Sequence, residues 1–259
     1  MKIRKLISML VLVLLLVSTG CSHAAGTAEM KQETELTISA AASLQDSLEE
    51  IKQLYESRHP DVKLQFNFGG SGSLQQQISK GAPVDLFFSA AADNFNKLKD
   101  EGMMDETHAA DLLGNDLVLV VLKDEKGFTE MADVQGADTL AMGTVETVPA
   151  GAYAKETLTN MQLWKTMEPH IVYTKDVRQV LQYVETGNAD AGMVYKTDAL
   201  TSSKVRIAAV APSDTHESIV YPVGVLKDST HKEAAVAFYD FLQTEEALQV
   251  FEDDGFTIN

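Results

Sequence analysis

Cysteine is almost absent from this 259-residue chain: Cys21 is the only one, so neither an internal disulfide nor a thiolate metal cluster can form. Positive charge is scarce too. Against 38 Asp and Glu there are 21 Lys and Arg, a formal net charge of −17. That balance argues against nucleic acid as a partner, because such binding rests on neutralising phosphates. It also argues against long-range attraction of an anion, so an anionic ligand has to be held by local, oriented donors. The six histidines (His23, His59, His108, His170, His216, His231) are scattered, and no pair has a metal-ligand spacing such as HExxH. No serine sits in a GxSxG elbow, and no glycine-rich run carries the lysine of a Walker loop. The carboxylates, Asp85 in Pro83-Val-Asp-Leu-Phe among them, are too evenly spread to nominate an acid–base pair; Asp85 reads as structural. No internal repeat or low-complexity tract is found.

What is present begins with a leader. Lys2, Arg4 and Lys5 precede an apolar run from Met9 to Val17, and Ser18-Thr19-Gly20 then leads to Cys21. Residues 1–20 read as an export signal, since the run is shorter than the roughly 20 residues a membrane-spanning helix needs. The placement of Cys21 resembles a bacterial lipoprotein signal, with Ser18 where leucine is usual. A lipid on Cys21 would tether the protein to the outer side of the membrane. An ordinary secreted protein with an incidental cysteine is the alternative. Residues 21–35 are polar and read as a flexible tether.

From Leu36 onward short apolar runs alternate with amphipathic stretches, the pattern of an α/β fold. Strands are predicted at 36–40, 62–68, 85–89, 117–122, 139–142, 171–173, 191–195, 205–210 and 218–225. Helices are predicted at 43–58, 73–80, 93–101, 151–160, 176–185, 232–242 and 245–251. In the first of these, Leu44, Leu48, Ile51 and Leu54 or Tyr55 recur at three- and four-residue steps. Gly114-Asn115-Asp116 and Ile219-Val220-Tyr221-Pro222 look like crossings between two lobes. The first lobe is then discontinuous, 36–115 with 221–259, and the second spans 116–220.

Two serines stand where helices are expected to begin, Ser43 after Ala40-Ala-Ala and Ser71 within Gly69-Gly-Ser-Gly-Ser. A serine there offers a hydroxyl beside N–H groups that lack intrahelical partners, and the helix dipole adds partial positive charge. An ordinary N-cap, or for Ser71 an ordinary glycine turn, is the competing reading. Val148-Pro-Ala150-Gly and Lys175-Asp176-Val177-Arg178 look like two further helix starts, with Asp176 suited to capping. Tyr195 closes a predicted strand, where a phenol at the C-terminal sheet edge projects into a crevice or onto the surface.

Taken in order, Ala40-Ala-Ala-Ser43-Leu, Gly69-Gly-Ser71-Gly-Ser-Leu, Gly81-Ala-Pro-Val-Asp-Leu-Phe-Phe-Ser-Ala90, Val148-Pro-Ala-Gly151, Lys175-Asp-Val-Arg178, Gly192-Met-Val-Tyr195 and Gly255-Phe-Thr-Ile resemble the periplasmic molybdate-binding proteins of bacterial ABC importers. The resemblance runs from about Leu36 to Asn259. It departs locally where glycines flank Ser71 in place of a serine-rich run. It implies a two-lobed periplasmic-binding-protein fold of type II, with mixed sheets flanked by helices and a ligand cleft between the lobes. It further implies a monomeric, extracytoplasmic, lipid-anchored receptor without enzymatic activity or cofactor. Such a receptor closes by a hinge on molybdate, with tungstate as a second ligand, and delivers it to an ABC permease. Carried onto this chain, the ligand contacts are Ser43, Ser71, Ala150, Val177 and Tyr195, which touch the oxyanion and are not direct ligands of the metal. Sulfate or another tetrahedral oxyanion is the nearest rival ligand. A serine hydrolase using Ser43 or Ser71 is the rival of another class.

Overall fold

A computed structural model describes residues 33–259. The expected signal segment, Cys21 and most of the expected tether lie outside the described residues. The end of the tether is corrected: Thr34 and Glu35 already pair with Val62 and Lys63 and belong to the first strand.

The strands are β1 (Thr34–Ala41), β2 (Val62–Gly69), β3 (Leu86–Phe88), β4 (Met104–Gly114), β5 (Leu117–Leu122), β6 (Leu140–Gly143), β7 (Ile171–Thr174), β8 (Ala191–Tyr195), β9 (Val205–Val210), β10 (Val220–Leu226) and β11 (Thr257–Ile258). They form a six-stranded sheet, β11-β4-β10-β3-β1-β2, and a five-stranded sheet, β7-β6-β8-β5-β9. Both are mixed. β1 pairs in parallel with β2 and β3 while β10 runs antiparallel to β3 and β4; β6 is parallel to β7 and β8 while β5 is antiparallel to β8 and β9. The chain passes from the first sheet to the second between β4 and β5 and returns between β9 and β10.

Helices α1 (Gln45–Arg58), α2 (Ser71–Ser79), α3 (Ala92–Asp100), α4 (Pro149–Asn160), α5 (Trp164–Met167), α6 (Val177–Glu185), α7 (Lys196–Leu200), α8 (Lys232–Leu242) and α9 (Glu245–Asp253) flank the sheets, with short 3₁₀ turns at 42–44, 131–136 and 168–170. Each packs one stripe. On α1 the buried side chains include Leu48, Ile51 and Tyr55, and on α6 they are Val177, Val180, Leu181 and Val184, the spacing of one helical face. β5 is buried over five of its six residues, as befits an uninterrupted apolar run paired on both sides. Asp85 is structural: it accepts from the Thr37 N–H at 2.8 Å and from the Ser229 hydroxyl at 2.6 Å, tying β1 to the loop after β10.

This topology aims several chain segments at one place. β1, β2 and β6–β8 each have a parallel neighbour, and the residues just past their C-terminal ends are 42–44, 70–72, 144–150, 175–177 and 196 onward, with Tyr195 closing β8. In open α/β sheets that edge is where ligands bind.

Candidate ligand-binding site

Ser43 lies in the 3₁₀ turn that leads from β1 into α1, and Ser71 is the first residue of α2. Helix α2 thus begins two residues earlier than expected, because Gly70, with extended backbone at φ −67°, takes the N-cap position. Neither serine caps its own helix. The Ser71 hydroxyl oxygen instead accepts from the Ala90 N–H at 2.9 Å, and the Ser43 hydroxyl pairs with the Tyr221 hydroxyl at 3.0 Å.

From the second sheet come two more helix starts. Ala150 is the second residue of α4, after Pro149, and Val177 is the first residue of α6. Backbone N–H groups in a first turn have no partner within their helix and point outward along the positive end of the dipole. The Asp176 side chain caps α6 by accepting from the Gln179 N–H at 2.9 Å, so the capping reading of Asp176 holds and Val177 keeps its N–H. Tyr195 ends β8, and its hydroxyl donates to the Ala90 carbonyl at 3.4 Å.

All five residues line one small cavity of ≈ 10 Å³, together with Gly70, Ala90, Val148 and a few other small or apolar residues, and no charged side chain faces it. All five are buried. The cavity is at the size limit for a single water. Burial, followed by the neighbouring Tyr221, raises the Tyr195 phenol well above its ordinary range, so it remains a donor at any physiological pH. What the cavity offers is hydroxyl and N–H donors at three helix starts and no carboxylate.

A larger cavity of ≈ 260 Å³ adjoins it, sharing Val148 and Pro149. Asp93, Glu146, Glu156 and Glu217 line that space against Lys97 alone. Its charge suits water rather than an anion.

Contacts between the two sides surround the small cavity. The Gly72 N–H donates to the Thr147 carbonyl at 3.0 Å. Arg178, next to Val177, reaches across to Asp46 on α1 at 2.5 Å and turns its Nε to the buried Asp198 of its own side at 2.9 Å, off the direction of a good hydrogen bond. Burial raises the Asp198 carboxyl to about 7 despite the opposing pull of Arg178.

Three participants carry no role in the sequence reading. Ala90 bridges Ser71 and Tyr195, although it closes a motif singled out above; Tyr221 and Asn115 sit in the two crossings, where Asn115 Nδ2 donates to the Tyr221 hydroxyl at 3.2 Å. A polar residue in each crossing is the one signal that could have found Asn115 and Tyr221.

Two mixed α/β lobes joined by two crossings, with a buried donor-lined cavity between them, define a two-lobed solute-binding protein. The family of bacterial extracellular solute-binding proteins matches residues 36–257, and the chain belongs to it. It is 52% identical over 243 residues, 93% of this chain and 94% of the relative, to YvgL of Bacillus subtilis (strain 168), described as a substrate-binding lipoprotein of an ABC transporter. It is 36% identical over 252 residues, 94% of this chain and 97% of the relative, to the molybdate-binding protein ModA of Escherichia coli (strain K12). Among solved structures, the periplasmic molybdate-binding protein of Azotobacter vinelandii superposes with a TM-score of 0.79 over 86% of this chain and 99% of that one; at 21% identity it speaks for the fold alone. The protein is thus an extracytoplasmic solute-binding component of an ABC transporter and not an enzyme.

Proposed function

We propose that this protein captures molybdate, and tungstate with it, between its lobes through Ser43, Ser71, Ala150, Val177 and Tyr195, and hands the ion to the permease of an ABC importer. The observation that carries the reading is the charge-free cavity, lined by two serine hydroxyls, a phenol and two helix starts, with no carboxylate and no basic side chain. A fully deprotonated dianion has only acceptors and is satisfied by such a wall without a basic residue. Each hydrogen bond to a charged group contributes about 1.5–3 kcal/mol, so five support sub-micromolar affinity after the costs of closure. The relatives named as molybdate-binding point to the same ligand.

Closure follows from the division of donors, two on the first-sheet side and three on the second, since only the closed form presents all five. The protein works as a monomer without a cofactor, held at the membrane by a lipid on Cys21. Calorimetry with molybdate, tungstate, sulfate and phosphate tests the assignment. Molybdate and tungstate are expected to bind with comparable sub-micromolar affinity and sulfate and phosphate far more weakly; sulfate binding as tight as molybdate would overturn it.

A further inference from the structure

A chain of hydrogen bonds stands behind Ser43. Asn115, in the first crossing, accepts at Oδ1 from the Asp116 N–H at 2.9 Å, which settles which way its amide is turned. Its Nδ2 then donates to Thr197 Oγ1 at 2.9 Å and to the Tyr221 hydroxyl at 3.2 Å. With an N–H already donating to its oxygen, the Tyr221 phenol has its own proton to place, and the Ser43 hydroxyl lies at 3.0 Å in a contact where either hydroxyl can donate. With Tyr221 as the donor there, the Ser43 proton is left to point into the cavity. Ser71 is arranged alike from a different source, its oxygen accepting from the Ala90 N–H at 2.9 Å. Tyr221 itself is held firmly in place. It is fully buried, and its ring meets Tyr195 at 5.6 Å and Phe256 at 5.3 Å, both edge to face.

We infer that Tyr221 is a positioning residue that fixes the Ser43 hydroxyl as a donor and thereby makes the site discriminate against oxyanions that carry a proton. The inference rests on the reading of this cavity as the anion site. A serine hydroxyl is otherwise two-faced and rotates to accept from a ligand O–H as readily as it donates to a ligand oxygen. With one lone pair of each serine oxygen engaged from behind, the proton of hydrogen phosphate has fewer acceptors to turn to, and a buried donor left unpaired is penalised. Fully deprotonated molybdate brings none. The network also spans the crossings, joining Ser43 of the first side to Thr197 of the second through Asn115 and Tyr221.

The test is a calorimetric comparison of molybdate and inorganic phosphate at one pH for the wild type, Tyr221→Phe, Ser43→Ala and the double variant. Phenylalanine keeps the ring and its aromatic contacts, and Asn115→Ala, which removes the donor behind the phenol, is the second route should Tyr221→Phe be unstable. Tyr221→Phe is expected to weaken molybdate about tenfold and to narrow the molybdate-to-phosphate preference by at least as much. In the Ser43→Ala background the same change is expected to do nearly nothing, because the two residues act as one unit. Weaker binding in Ser43→Ala combined with an unaltered preference in Tyr221→Phe would overturn this inference alone. Equal effects of Tyr221→Phe with and without Ser43 would also overturn it, as the mark of a merely structural residue. Unchanged molybdate binding in Ser43→Ala would bring down the site reading itself, and the inference with it.

Discussion

The Gly72 N–H donates to the Thr147 carbonyl at 3.0 Å, so the first turn of α2 is bonded directly to the loop before α4 on the other side of the cleft. The approach is close enough to exclude a side chain: a Cβ on Gly72 would stand 2.8 Å from Thr147 Cα, and one on Gly70 2.6 Å from the Thr147 carbonyl oxygen. The glycines around Ser71 are what let the two sides meet over the site.

Gly72→Ala therefore separates closure from folding. The clash exists only when the sides are together, and overpacking of this kind costs about 1–3 kcal/mol, roughly ten- to hundredfold in affinity. In the ligand-free protein the sides can part, and alanine favours the helix. Calorimetry is expected to show the loss while the ligand-free melting temperature holds or rises. Undiminished affinity would mean that the ligand does not need this contact.

Ser71→Ala should behave differently, because it damages both states. It removes a donor to the ligand and also leaves the buried Ala90 N–H without the oxygen that accepts it at 2.9 Å. An unsatisfied buried N–H costs about 1–3 kcal/mol, so denaturant unfolding of the ligand-free variant should show a loss of that order beside the weakened molybdate binding. Lost affinity with full stability would place the Ala90 N–H on another acceptor.

Asp198 gives stability a pH dependence whose sign is fixed. Its carboxyl sits at about 7 in the fold, since burial outweighs Arg178, with the Tyr195 N–H and the more distant Asp46 and Asp176 as the other groups acting on it. In the unfolded chain the value is about 4, so between these limits the folded state binds more protons. This carboxyl's contribution is full below about 4 and is lost as pH rises through about 7. Unfolding free energies of the wild type and Asp198→Asn, compared from pH 5 to 8, should diverge in favour of the variant by up to about 1.4 kcal/mol per unit below pH 7 and run parallel above it. Parallel curves throughout would show that Arg178 keeps the carboxyl ionised.

The Arg178–Asp46 pair, 2.5 Å apart with Asp46 exposed, spans the cleft and acts as a weak latch. Exposed pairs contribute about 0–1 kcal/mol and are screened by salt. Asp46→Asn is expected to weaken molybdate no more than about fivefold at low ionic strength. At 1 M salt, where screening acts over about 3 Å, the difference should vanish. A larger loss that persists in salt would make Asp46 part of the binding machinery.

Much of this architecture was legible because the sheets are built from apolar runs. β5 and β8 lie at 117–122 and 191–195, where unbroken apolar residues mark buried strands, and β9 at 205–210 is apolar but for Arg206. β4 was not legible. Near its start it reads Asp105-Glu-Thr-His108, and what makes it a strand is β10, more than a hundred residues later, with Lys232 pairing Asp105 at 2.7 Å. β11 is two residues long and exists only against β4.

The candidate site divides the same way. Helix starts and strand ends advertise Ser43, Ser71, Ala150, Val177 and Tyr195 locally, and the topology brings all five to one cavity. The groups that orient them do not. Asn115 and Tyr221 are 106 residues apart and meet because both crossings pass the same point, and nothing in either local sequence encodes the hydrogen bond between them. Nor could Ala90 be recognised as the bridge between Ser71 and Tyr195, since it contributes only its backbone.

Anomalous diffraction at the molybdenum edge, from crystals grown with molybdate, tests the central claim most directly. The expected result is a single strong peak enclosed by Ser43, Ser71, Ala150, Val177 and Tyr195, with no basic side chain in contact. A peak in the larger cavity beside Asp93 and Glu156, or an ion held by lysine or arginine, would contradict it.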